Sequence, residues 1–350
     1  MDSYQIFCDQ TQGLFCERLN ELCQRVEAWL AAEEAEGRQL QYTKVFLSDI
    51  SNQEDELRRS RLMTDIVRQT ACSIIQQPPI CAASKIGLLM KTSTDRQSPF
   101  LLHSLRLTDE EVMNFGSYVQ TVMLFDKYLA LLKEQGLTLD KHCVRTWIYV
   151  RDIDTNYDGV VKARNDIFRQ HGLTVDTHFI ASTGIGGRAS GRNVVVAIDF
   201  LTCPTVQPDN ITYLHALDHL NPTHEYGVAF ERGTRITLPG HPQQFFISGT
   251  ASINHRGEVV NVGDVEQQTE RLLENISALL RDGGAAISDV RYFIVYLRDL
   301  ADASVVDSYM QRHFPRVPRI ITYAKVCRPA WLVEMECIAT TPSPPPTPLS

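Results

Sequence analysis

One short pattern recurs along this chain and constrains its fold more than any other feature. Val45-Phe46-Leu47-Ser48-Asp49-Ile50, Ile148-Tyr149-Val150-Arg151-Asp152-Ile153 and Val295-Tyr296-Leu297-Arg298-Asp299-Leu300 are each a run of β-branched and aromatic residues followed by an Asp. Such a run reads as a strand, and the Asp suits the cap of a following helix. Each copy follows an amphipathic stretch that ends near a glycine: Leu14 to Gly37, Val112 to Gly136 and Gln268 to Gly283. An apolar stripe with Gly just past its end is the pattern of a surface helix. Each copy precedes a second helix and then two strands expected to pair. These are Ser73–Ile80 with Lys85–Lys91, His178–Ile185 with Asn193–Phe200, and Ile320–Cys327 with Trp331–Thr340. Repetition on this scale decides architecture. The expectation is an α+β fold of three repeated units, each a mixed sheet backed by helices, forming a pseudo-trimer in one chain. The units read as 1–97, 98–200 and 245–340. Residues 201–244, with Pro204, Pro208, Pro222, Pro239 and Pro242, read as a connector. One that long usually has a function or lies across a cleft. The proline-rich residues 341–350 read as a disordered or polyproline-like tail.

Bulk composition narrows the function classes. A net charge of −8 argues against nucleic acid as the main partner, because phosphate binding rests on Lys and Arg. No run approaches the ~18 apolar residues of a membrane span. Met1-Asp2-Ser3-Tyr4-Gln5 has neither the basic nor the apolar part of a secretory leader, so a cytoplasmic enzyme with a small-molecule partner is expected. Nine cysteines, an odd number without close pairs, read as reduced thiols. The histidines show no paired ligand spacing, so no metal is expected.

The last strand, Trp331 to Ala339, alternates: Glu334 and Glu336 share one face, and Val333, Met335 and Cys337 the other. Two ionised carboxylates cannot be buried side by side without cost. One is therefore a candidate for a raised pKa and for proton chemistry. Upstream, in order, stand Ser248-Gly249, Gly263-Asp264 with Gln268, and Asn275-Ile276. With the Val333-Glu334-Met335-Glu336 strand, these make Phe245 to Ala339 resemble the Rid (YjgF-type, endoribonuclease L-PSP-like) family. The resemblance implies a chorismate-mutase-like α+β fold, sites between units, and hydrolysis of reactive 2-imino acids as a known activity. It also implies an arginine upstream of the strand carboxylate that clasps a substrate carboxylate, a position that falls on Arg319.

A longer set of motifs resembles the chorismatases, relatives of the Rid proteins. These are Arg145-Thr146-Trp147-Ile148-Tyr149, Arg164, Ala181 to Gly186, Tyr226-Gly227, Phe230-Glu231-Arg232, Ser248 to Ile253 and Val326-Cys327-Arg328. Members of that family usually have Asn where Ile148 stands. This resemblance implies cleavage of the enolpyruvyl ether of chorismate, without cofactor, to pyruvate and a hydroxybenzoate or dihydrodiol. Glu334 would be the catalytic acid, and Arg319 and Arg164 would hold the two substrate carboxylates. Arg145 and Tyr226 are further binding candidates, although strand arginines and loop tyrosines often serve packing. Cys327 resembles the subclass that releases 3-hydroxybenzoate, and no histidine stands near it to make it a nucleophile. Thr183 and Gly184 belong to a glycine turn near the ligand. That turn lacks the Gly-Lys-Ser/Thr ending and the following helix of a phosphate loop. Gly249 and Thr250 complete the expected lining, and Thr250 replaces the amide-bearing residue common in Rid deaminases. A Rid-type imine or enamine deaminase and a non-catalytic ligand-binding protein are the alternatives. Because three units already close a ring, a monomer or weak dimer is expected.

Overall fold

The computed structural model describes residues 2–80, 84–95 and 98–343; the prolines and other residues of the tail from 344 onward lie outside them. The first unit runs β1 (Asp2–Cys8), α1 (Phe15–Ala35), β2 (Gln39–Leu47), α2 (Ile50–Arg59), β3 (Ala71–Gln76) and β4 (Ile86–Ser93). The second runs β5 (Leu101–Leu105), α3 (Asp109–Val112), α4 (Ser117–Glu134), α5 (Leu139–His142), β6 (Cys143–Val150), α6 (Ile153–Gln170), β7 (Ala181–Gly186) and β8 (Val196–Thr202). Two short strands follow, β9 (Ile211–Leu214) and β10 (Gly233–Ile236). The third unit is β11 (Gln243–Ala251), α7 (Val265–Asp282), β12 (Val290–Leu297), α8 (Ala303–His313), β13 (Arg319–Tyr323) and β14 (Val333–Thr341).

All three units share one topology. The sheet orders are β1-β4-β2-β3, β5-β8-β6-β7 and β13-β12-β14-β11-β10-β9. In each, the second strand is joined to a parallel third strand by a helical crossover, and the last strand returns antiparallel between the first and second. The expected strand pairs are therefore corrected. β3 and β4 are not neighbours, nor β7 and β8, nor β13 and β14. A parallel crossover puts the third strand on the far edge of the second and leaves the near edge for the returning strand. Residues 201–244 are also not a free connector: β8 runs on to Thr202, and β9 and β10 extend the third sheet.

Sheet faces explain why simple alternation fails in this chain. Every residue of β4, β6 and β8 is buried, because one face meets helices and the other meets the neighbouring units. α7 shows the helical side of this packing. Asp264 caps it by accepting from the Gln267 amide, and Leu272, Leu273, Ile276, Leu279 and Leu280 are buried. It ends at Gly283-Gly284, where Gly284 takes φ +84°. Phe46, Tyr149 and Tyr296 hold the same place in the three repeats and are all fully buried where the units meet. Bridges Gln76↔Arg188, Ile185↔Val326 and Pro79↔Thr322 tie the ends of β3, β7 and β13 together. Among the described residues, one cysteine departs from expectation. Cys8 is disulfide-bonded, whereas Cys16, Cys23, Cys72, Cys143, Cys203, Cys327 and Cys337 are free. Spacing along the chain does not show which thiols the fold brings together. No helix among the described residues is long and apolar enough to cross a membrane.

Candidate active site

The site begins with a break in strand pairing. Along β11 and β14, Ile247 faces Cys337 and Thr250 faces Met335, so Ser248 and Gly249 together oppose the single residue Glu336. This is a β-bulge, which re-aims side chains locally. It turns the backbone of Gly249 onto Glu334: a Cβ there would lie 2.0 Å from Glu334 Oε1. The freed Gly249 amide donates to Thr183 Oγ1 at 2.9 Å, which ties the bulge to β7 of the second unit.

Glu334 and Glu336 do share a face and are both buried, at 4% and 2% exposure, yet their surroundings differ. Glu336 accepts from Arg145 Nη2 at 2.9 Å, from Trp147 Nε1 at 2.6 Å and from the Thr183 hydroxyl. Such a donor set fits an anionic carboxylate. No hydrogen bond from the described residues reaches Glu334. Burial, and then the negative charge of Glu336, push its pKa up to about 8, while Arg145 and Arg232 act in the opposite direction. Burial beside a second carboxylate thus favours the protonated form of Glu334 at neutral pH.

Glu334 closes one side of a cavity of about 40 Å³ between the second and third units. Arg164, Arg232 and Arg328 also line it, with Tyr157, Phe230 and Trp331. Arg164 is 1% exposed, with its guanidinium 5.9 Å from the Phe230 ring centre. Arg232 donates to the Asn221 carbonyl at 3.1 Å, and Arg328 lies 5.4 Å from the Trp331 ring centre. Tyr157, Val228, Cys327 and Arg328 are shared with an outer cleft of about 590 Å³ and form the neck between the two spaces. Ligand sites usually occupy ~300–1,000 Å³, so anything larger than water must displace part of this neck to reach Glu334.

The structure places the sequence-derived candidates differently. Glu334, Arg164, Cys327, Gly184 and Gly249 converge on the cavity. Arg145 and Thr183 stand behind it: both bond to Glu336, so they hold the carboxylate and not the ligand space. Thr250 is turned away, with its hydroxyl donating to the Ser248 carbonyl at 2.9 Å, because the bulge reverses the facing expected of it. Arg319 is elsewhere. It bonds Asp307 at 3.0 Å and Gln311 at 2.8 Å, in a separate cleft with Gln5 and Arg316 between the third and first units. The Tyr226 side chain lies outside the described residues. Burial first, and then Glu334, push the Cys327 thiol up to about 12, which removes it as a nucleophile at neutral pH. Sequence reasoning did not single out Arg232, Arg328, Tyr157 or Trp331. The first two stood within quoted motifs as Phe230-Glu231-Arg232 and Val326-Cys327-Arg328.

Glu334 gives the fold a pH signature. Its pKa rises on folding from the ordinary 4.5 to about 8, so the folded state holds a proton that the unfolded chain releases. The resulting stability is fully present below pH 4.5 and is lost as pH rises through about 8. Integrated over that window it is on the order of a few kcal/mol. Denaturant midpoints of the wild type are expected to fall relative to Glu334→Gln between pH 5 and 9. A wild-type-to-variant difference that stays constant with pH would rule this out.

Comparison with known proteins places the chain. Residues 238–341 match the family model described as endoribonuclease L-PSP. The 3-aminoacrylate deaminase RutC of Acinetobacter baylyi is 30% identical over 96 residues, 27% of this chain and 76% of that protein. A RutC family protein of Pyrococcus abyssi is 35% identical over 97 residues, again 27% of this chain and 76% of its own length. This chain belongs to the endoribonuclease L-PSP (Rid, YjgF-type) family, with the matched segment in its third unit. Its architecture as a whole is that of a solved chorismatase, which it matches with a TM-score of 0.67 at 18% identity, over 97% of this chain and 98% of that one. At that identity the likeness is one of fold.

Proposed function

We propose that this chain is a chorismatase-like enzyme that releases pyruvate from chorismate by proton transfer from Glu334. The observation that carries this reading is a carboxyl with its pKa raised to about 8, facing a closed space that also holds Arg164, Arg232 and Arg328. An acid that keeps its proton at neutral pH can protonate carbon, and guanidinium forks hold carboxylates bidentately.

Hydrolysis of a vinyl ether begins at its terminal methylene. Glu334 delivers its proton there, and the adjacent ether-bearing carbon becomes an oxocarbenium ion. Water, or the ring hydroxyl of the substrate, adds to that carbon. In the water case the hemiketal collapses, its C–O bond to the ring breaks, and pyruvate leaves with the dihydrodiol. One proton of the added water restores Glu334, and the other passes from the hemiketal hydroxyl to the departing ring oxygen, which leaves as the diol hydroxyl. The negative charge that Glu334 carries between these steps lies among the arginines of the cavity, which would stabilise it. The Gly249 bulge fixes the carboxyl, and Arg145, Trp147 and Thr183 fix its neighbour Glu336. No step uses a cofactor, and Cys327 shapes the wall without forming a bond to substrate.

A second reading has one specific observation in its favour. The Acinetobacter relative is named a 3-aminoacrylate deaminase, and protonating the β-carbon of an enamine is the same elementary step. Arg164 separates the two. A dicarboxylate needs two guanidinium contacts, each worth roughly 1.5–3 kcal/mol, so Arg164→Ala should weaken chorismate binding at least about tenfold in calorimetry. A small imino acid such as 2-iminopropanoate needs one contact and should be turned over almost unchanged. Chorismate binding that survives Arg164→Ala would count against the first reading.

A further inference from the structure

No described side chain of the first unit lines the cavity around Glu334, yet that unit sends a lysine into the buried centre of the molecule. Lys44, on β2, is 1% exposed. Its Nζ lies 3.3 Å from the centre of the Trp147 ring, 3.2 Å from the Tyr149 hydroxyl and 3.5 Å from Asp199 Oδ2. The same indole donates its Nε1 hydrogen to Glu336 at 2.6 Å. One aromatic ring therefore separates the ammonium from the carboxylate that sits beside Glu334. Strand register shows how this arises. Lys44 faces Leu89, Trp147 faces Asp199, and Ile294 faces Glu336, so Asp199 is the second unit's counterpart of Glu336. Charge at one inter-unit junction is thus coupled through Trp147 to charge at the next.

We propose that Lys44 is a positioning residue for the Glu334 site: its ammonium, held by Asp199 and Trp147, balances the negative charge on Glu336 and so sets the pH range over which Glu334 keeps its proton. This rests on reading Glu334 as the acid. The charged and titratable groups around the lysine come from each packed element: Asp199 on β8, Tyr149 and Arg145 on β6, and Glu336 on β14. Behind them, Arg106 bonds Asp199 at 3.0 Å and the Ser73 hydroxyl at 3.0 Å. Glu334 itself faces Glu336, Arg145 and Arg232. Burial pulls Lys44 down to about 8 against the pull of Asp199 and Glu336, which leaves it mostly charged at neutral pH. The sign follows from charge balance. With the ammonium gone, a second negative charge in the cluster is harder to form, and Glu334 holds its proton to higher pH.

The test titrates the full-length protein without substrate. In chain labelled with ¹³C at glutamate side-chain carboxyls, the Glu334 resonance is identified by its loss in Glu334→Gln. Lys44→Met should move its midpoint up by about one pH unit, and Lys44→Arg, which keeps the charge over the indole, should return it to within a few tenths. Where Met at this buried position prevents folding, Lys44→Gln keeps a hydrogen bond to Tyr149 and carries the same expectation. The basic limb of a pH–rate profile should follow the titration. A folded Lys44→Met or Lys44→Gln protein whose Glu334 midpoint stays put, or moves down, overturns the proposal. The two readings fail separately: absence of turnover on every substrate would overturn the acid, whereas an unmoved midpoint in an active enzyme would overturn only the role of Lys44.

Discussion

Glu334→Gln is expected to cut turnover by roughly 10²–10⁴ while the fold and ligand affinity are largely kept. The amide has the size of the acid and part of its hydrogen bonding, but it has no proton to give to carbon. Glutamine also removes an ionisable group that burial and Glu336 disfavour as an anion, so the variant should be at least as stable as the wild type at pH 8. Steady-state rates, with binding measured separately by calorimetry, distinguish a lost proton from a lost contact. A variant with full activity would eliminate proton transfer from Glu334, whatever the substrate.

Gly249→Ala should be nearly as damaging, for a steric reason. Its new methyl would stand 2.0 Å from Glu334 Oε1 and 3.0 Å from Thr183 Cγ2. The backbone at this glycine is not left-handed, so the conflict is with the neighbours and not with φ. Either the carboxyl swings out of the cavity or the bulge opens and releases the Gly249 amide from Thr183. Misplacing a reacting group by about 1 Å can cost 100-fold in rate, and overpacking costs on the order of 1–3 kcal/mol of stability. Gly116→Ala is the control, since nothing lies within 4 Å of its added methyl. Comparable rates for the two alanine variants would contradict the geometry assigned to Glu334.

The parts of this fold legible in the sequence are those set by local patterning. The repeated strand-Asp motif carried the three units, because each must present the same apolar strand and capped helix to pack as its neighbours do. The Glu334–Glu336 alternation carried the shared face of the two carboxyls, because strand period is local. What failed depended on register. Arg319 faces Phe293 on β12, and Phe293 faces Cys337 on β14, so Arg319 is set off from Glu334 by two strand spacings and three residues along β14. Counting back along the chain cannot show that offset. Thr250 failed through the bulge, which inserts one residue on β11 and shifts the facing after it. Residues 201–244 hid β9 and β10 because a four-residue strand at a sheet edge needs little periodicity to pair. Lys44 and Asp199 carried no local signal at all, since their pairing exists only once the first and second units pack.

The most direct test of the central claim is pyruvate formation when the purified full-length protein is incubated with chorismate, followed by coupled reduction of the released pyruvate to lactate. Pyruvate is expected to appear in proportion to chorismate consumed, with no added cofactor, and to disappear with Glu334→Gln. Stable chorismate alongside rapid hydrolysis of 2-aminoacrylate or 2-iminopropanoate would contradict the chorismatase reading and assign the same acid to an imine or enamine.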